Sequence, residues 1–209
     1  MLNIDILENL RRLKKVAQAR DEATGKHTQR IAAYCNLLAK ALGHPNDFCN
    51  EIFFASPMHD IGKVGIPDNI LLKPGKLTAE EFKTMKSHCE IGYKILKNSG
   101  SKDDFFNLAA EIALTHHEKW DGSGYPNGLR KKNIPLSGRI IIIADVFDAL
   151  TNKRVYKQAC SIEESIKIMR DEMRPGKAFD PDIFNVFIKN IGEFKAIKEK
   201  QTIFAHETE

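Results

Sequence analysis

The sequence predicts an all-α protein: a helical bundle interrupted by one long glycine- and proline-rich loop. Three observations carry that expectation. Two capping boxes, Thr78-Ala79-Glu80-Glu81 and Ser161-Ile162-Glu163-Glu164, announce helix starts. The run Ile140-Ile141-Ile142-Ile143-Ala144 would pass for a strand, but its continuation through Asp145-Val146-Phe147-Asp148-Ala149-Leu150 favours a buried helix. The strong breakers Gly122, Gly124, Pro126, Gly128 and Pro135 gather between Asp121 and Ser137, which therefore reads as loop.

Taken in order, Ile6, Leu10, Leu13 and Ala17 form an apolar stripe on an opening helix over residues 1–19. Two readings stay open for it: packing on the domain, or a signalling arm that forms a homodimer. A helix from about Thr28 to Leu42 is expected to end at Gly43. Asp47 is placed to cap a third helix running to His59. The helix after Thr78 should carry His88 and end before Gly100, and another from about Asp104 to Glu118 should carry His116-His117. Asp180-Pro181 opens what reads as the last helix, with proline at its first position. A charged, frayed tail is expected over 195–209. The main domain is thus 20–194.

Composition limits the function. The chain has 209 residues and a net charge of +4. That suits an anionic ligand, but no basic stretch is interleaved with aromatics, so DNA and RNA are not expected as partners. No apolar run is long enough to span a bilayer. Cys35, Cys49, Cys89 and Cys160 are scattered without a Cys-x-x-Cys, which fits a reduced, cytoplasmic compartment.

The histidines carry the chemistry. Five of the seven fall into one ordered set with two aspartates: His27, His59-Asp60, His88, His116-His117 and Asp145. Imidazole suits iron, zinc, nickel or copper, and carboxylate adds affinity for harder ions such as manganese. An aspartate has two oxygens and a histidine one free nitrogen, so Asp60 is the natural bridge between two metals. Two metals about 3.5–4 Å apart are the usual machinery of phosphoester cleavage.

The segment His59-Asp60-Ile61-Gly62-Lys63-Val64-Gly65-Ile66-Pro67-Asp68 resembles the first signature of the HD-GYP family of metal-dependent phosphohydrolases. The later segment from His116-His117-Glu118-Lys119-Trp120-Asp121-Gly122-Ser123-Gly124-Tyr125-Pro126 to Leu129 resembles its second. Lys73-Pro74-Gly75-Lys76-Leu77-Thr78, Met85-Lys86-Ser87-His88, Asp145 to Thr151 and Arg154-Val155-Tyr156-Lys157 match as well. The resemblance implies an HD-type helical fold and hydrolysis of a cyclic dinucleotide, cyclic di-GMP to pGpG and on to GMP in some members, or cyclic GMP-AMP. It implies two divalent metals per chain, iron or manganese. His27, His59, Asp60 and Asp145 would hold one metal. Asp60 would bridge to a second, held also by His88, His116 and His117. A hydroxide between the metals would attack phosphorus in line, with Asp60 and Lys63 as catalytic residues. Lys63, Tyr125, Arg154 and Lys157 would contact substrate, and Asp148 would support the site rather than ligate. The Gly-Tyr-Pro loop would also be the place for protein partners.

One departure stands out. Many members carry a Glu four residues before the first His, where it helps hold a third metal; here that position is Ala23. A two-metal site, or a third site only weakly filled, is therefore expected. Two other readings compete: a catalytically silent cyclic-dinucleotide receptor, and an HD-type hydrolase acting on mononucleotides.

Overall fold

The computed structural model describes residues 25–97, 104–152 and 158–206. The opening stripe, Ala23, Arg154 and Lys157 lie outside the described residues. Every described regular element is helical; one isolated bridge joins Pro175 and Phe179.

The first described helix, α1 (Gly25–Ala41), buries Ile31, Tyr34, Cys35, Leu38 and Ala39. These positions recur at steps of three and four, one face of a helix. Gly43 follows at φ +78°, and the Gly43 amide bonds back to the Lys40 carbonyl. Helix α2 (Asn46–Ala55) starts after Pro45, not at Asp47 as expected, so Asp47 lies in its first turn. It also stops earlier than expected. Pro57 lies in a tight 3-10 turn, Ser56–Met58, and a second such turn, Ile61–Gly65, follows. His59 and Asp60 therefore sit between two 3-10 turns rather than within a helix.

A short helix α3 (Asp68–Leu71) leads to α4 (Ala79–Lys86). The expected capping box is present at Thr78 and Glu81, and Glu81 also pairs with Lys73 at 2.6 Å. The expected single helix is split at Ser87. His88 instead opens α5 (His88–Lys97). Helix α6 (Asp104–Thr115) ends just before His116. The loop holds a 3-10 turn at Lys131–Asn133 and gives way to α7 (Leu136–Thr151). As expected, the isoleucine run is buried helix: Ile140, Ile141, Ile143 and Ala144 are all fully enclosed.

Ser161 caps α8 (Ile162–Ile168), which runs into a π-helical turn, Met169–Met173. Asp180 caps α9 (Pro181–Lys189) through the Asp182 amide. That helix is not the last. Helix α10 (Ile191–His206) occupies the stretch expected to begin a frayed tail. The reason is aromatic. Phe194 is fully buried, stacks on Tyr34 with centroids 4.8 Å apart, and meets Phe147 and Phe187 edge-on. Burying one such side chain contributes roughly 1.5–3 kcal/mol, enough to hold a charged helix on the domain.

Candidate metal centre

Close backbone packing brings the ligand-bearing turns together. The Ile61–Gly65 turn lies on α5 at Gly62, where an added Cβ would stand 1.9 Å from the His88 carbonyl oxygen and 2.4 Å from the Gly92 nitrogen. Only a residue without a side chain permits that approach. It sets Asp60, just ahead of the turn, against His88, at the start of α5.

All seven sequence-predicted ligands converge. Asp60, His88, His116 and His117 form one group, and His27, His59 and Asp145 a second; within each, one donor atom per residue lies within 4.8 Å of the others. Asp60 faces both. Its Oδ2 is 3.2 Å from His59 Nε2, while its Oδ1 is 3.4 Å from His88 Nε2 and 3.7 Å from His116 Nε2. Lys63 Nζ lies 2.9 Å from the same Asp60 Oδ2.

The imidazoles are aimed by their outer nitrogens. His59 Nδ1 is 2.9 Å from the Ser56 carbonyl, His88 Nδ1 is 2.6 Å from that of Met85, and His116 Nδ1 is 3.0 Å from that of Ala113. A carbonyl only accepts, so each Nδ1 carries a proton and each Nε2 is the nitrogen turned inward. His59 Nε2 is buried and makes no well-aligned hydrogen bond, although Asp60 Oδ2 lies 3.2 Å away. His88 and His116 turn their Nε2 atoms to within 3.2 Å of each other. Lone pairs converging in this way oppose one another unless a cation lies between them. The donor set therefore fits divalent metal, with the outer hydrogen bonds that metal-binding histidines characteristically make.

His27 is aimed differently. Its Nδ1 is 2.7 Å from Asp148 Oδ2, and its Nε2 lies 3.9 Å from Asp145 Oδ1. Arg30 donates through Nε to Asp148 Oδ1 and through a terminal nitrogen, at 3.0 Å, to Oδ2. Asp148 thus supports a histidine and is not part of either donor group. The sequence reading gave Arg30 no role. Its only local signal was a position one helical turn after His27.

Electrostatics favour the neutral, metal-ready imidazole at His88 and His117, but not at His59 in the metal-free protein. Burial, reinforced by His116, pushes the His88 imidazole down to about 4. The same causes hold His117 far below its ordinary value. Burial would lower His59 too, but the carboxylates of Asp60 and Asp145 outweigh it and lift it to about 9. Burial would raise Asp60; Lys63 and His59 outweigh it and hold its carboxyl well below the usual range.

The loop closes one side. Glu118, 1% exposed, accepts from the Asn127 amide at 2.8 Å and the Leu129 amide at 3.0 Å. It was part of the second signature but had been given no role. Gly124 packs so closely that a Cβ would meet Lys119 N at 2.3 Å and His117 O at 2.5 Å. Tyr125 is carried against His117, centroids 4.7 Å apart. Of the four expected substrate contacts, Lys63 and Tyr125 therefore border the cluster; Arg154 and Lys157 fall outside the described residues.

Fold and site together define a helical histidine–aspartate metal-binding domain. An HD domain family pattern matches residues 11–183. The chain belongs to the HD domain family, in its HD-GYP branch. A cyclic di-GMP phosphodiesterase of Thermotoga maritima is 47% identical over 184 residues, 88% of this chain and 49% of the relative. A 3′3′-cGAMP-specific phosphodiesterase of Vibrio cholerae is 45% identical over 206 residues, 94% of this chain and 38% of the relative. The chain thus spans no more than about half the length of these relatives. In fold it is similar to a cyclic GMP-AMP-specific phosphodiesterase structure from V. cholerae (TM-score 0.65, 18% identity, 94% of this chain and 53% of the other). The HD domain of a Listeria monocytogenes phosphodiesterase, solved with cyclic di-AMP, is also similar (TM-score 0.56, 18% identity, 94% and 96%).

Proposed function

We propose that this protein is a metal-dependent phosphodiesterase that hydrolyses a cyclic dinucleotide, with cyclic di-GMP the leading substrate and pGpG the first product. The observation that carries this is Asp60 offering one oxygen to each of two converged donor groups. Relatives that act on cyclic di-GMP and on 3′3′-cGAMP, at 47% and 45% identity, support the substrate class.

In this reading His27, His59, Asp60 and Asp145 hold one metal, and Asp60, His88, His116 and His117 the other. The imidazole-carboxylate mixture suits iron or manganese. When bound, the pair supplies acidified water and charge neutralisation at phosphorus. The protein's own residues do the rest. His59, His88 and His116 hold fixed ring orientations through their backbone carbonyls. Lys63, held at Asp60, meets a non-bridging phosphate oxygen as a point charge. Tyr125 walls the groove beside His117. Arg154 and Lys157 grip the second phosphate. Two metals are proposed, not three, because Ala23 has no ligand atom. The four cysteines are free thiols, which suits a cytoplasmic setting.

The test is turnover of cyclic di-GMP and cyclic GMP-AMP by iron- and manganese-loaded protein, with metal content measured in the same preparation. Loss of turnover and of metal in Asp60→Ala is expected. Retained activity in that variant would sink the bridging role. Three tightly held metals per chain would sink the two-metal reading.

A further inference from the structure

An exposed phenylalanine with a cation lies beside Tyr125 at the edge of the metal centre, and neither is used by the chemistry above. Phe82, on α4, is 44% exposed, unusual for so large an apolar side chain. Its ring meets Tyr125 edge-on, with centroids 6.2 Å apart. Lys86, one turn further along α4, holds its Nζ 4.8 Å from the Phe82 ring centroid and 5.3 Å from that of Tyr125. Tyr125 in turn lies against His117, a member of the Asp60 donor group. A chain of ring contacts thus leads from the metal centre outward to the partly exposed Phe82 ring, with the Lys86 ammonium over it.

The face is held in place. Helix α4 is fixed at its start by the reciprocal Thr78–Glu81 capping bonds and by the Lys73–Glu81 pair. Tyr125 is fixed by the bond from its amide to the His117 carbonyl.

We propose that Phe82 and Lys86 form a base subsite that receives one purine of the cyclic dinucleotide, an inference that rests on the function proposed above. The base stacks on the exposed Phe82 face while its phosphate lies at the metal centre. An aromatic platform accepts any base, since every base has a π-face. Lys86 adds selection. Its ammonium has three donors and no acceptor. Guanine offers two adjacent acceptors, O6 and N7, whereas adenine pairs its N7 with an amino donor. The subsite therefore favours guanine, and cyclic di-GMP over cyclic di-AMP.

The experiment uses the whole metal-loaded chain with cyclic di-GMP and cyclic di-AMP. Removing a stacking ring in Phe82→Ala should raise KM for cyclic di-GMP about 5- to 100-fold, and Phe82→Trp should restore it. Metal content and kcat should stay within about threefold in both, since the lost contact is uniform binding. In Lys86→Met the preference for cyclic di-GMP over cyclic di-AMP should narrow. An unchanged KM in Phe82→Ala, or a loss that Trp does not rescue, overturns the platform. Equal use of both substrates by wild type, or an unaltered preference in Lys86→Met, overturns the guanine assignment. If wild type turns over neither substrate, the phosphodiesterase reading fails, and calorimetric binding of cyclic di-GMP decides the subsite separately. Weaker binding to Phe82→Ala than to wild type supports it; equal binding, or none to either, overturns it.

Discussion

His27 Nδ1 and Asp148 Oδ2 stand 2.7 Å apart although 121 residues separate them in the chain. This contact makes α7 a support for a histidine carried by α1. Arg30 completes it by holding both oxygens of the same carboxylate. Burial would raise Asp148; the bonds from His27 and Arg30 outweigh it and keep the carboxyl below its ordinary value.

Asp148→Asn keeps the shape but weakens the acceptor that orients His27. Loss of such an outer partner costs about 10–100-fold in metal affinity. Chelator competition on the folded variant measures it, and an affinity equal to wild type would contradict the orienting role. Arg30→Met should act on stability instead. It strands a 2%-exposed carboxylate without its guanidinium, at a cost of about 3–5 kcal/mol. Denaturant unfolding reads that loss.

Gly62→Ala places a methyl into the backbone of α5, against the His88 carbonyl and the Gly92 nitrogen. Neither can move without moving the helix. We expect a loss of about 1–3 kcal/mol or more, as for overpacking, with lowered metal occupancy because His88 is displaced. A variant as stable as wild type would mean that the 3-10 turn and α5 separate easily.

Glu118→Ala should loosen the loop without touching a donor group. It removes the acceptor for the Asn127 and Leu129 amides, charge-assisted bonds of about 1.5–3 kcal/mol each. Hydrogen exchange at those two amides should speed up, and cleavage within 122–130 by added protease should become easier. Unchanged protection at both amides would show that the loop does not depend on this clamp.

Metal removal should lower the melting temperature. Ligand that binds only the folded form at 100 times its dissociation constant adds about 2.7 kcal/mol. Chelated protein should melt earlier and recover on adding manganese. Melting curves that superimpose with and without chelator would argue against a metal held by buried donors.

The donor residues were legible because their types are rare together and their order is fixed along the chain. Their local setting was less so. His59 and His116-His117 read as helical, yet all lie beyond α-helix ends, where Pro57 forces a tight turn and α6 stops at Thr115. Periodicity places residues on helices but says little about the last turn. Arg30 and Glu118 escaped for another reason. Each acts through a partner distant in sequence or through backbone amides, and neither leaves a periodic trace. The helix at Ile191–His206 was hidden by its charge, since one buried Phe194 outweighs many exposed lysines only once Tyr34 and Phe147 are in place.

Three imidazoles carry their aim with them: His59, His88 and His116 each bond a carbonyl three residues upstream. Such rings are oriented as soon as their own turn forms. His27 has no such local anchor and waits for Asp148 on α7. The two halves of the centre therefore differ in what they require of the chain. Residues 60–117 contain the whole Asp60, His88, His116 and His117 group, so that set of donors is synthesised in full before the ribosome adds Asp145.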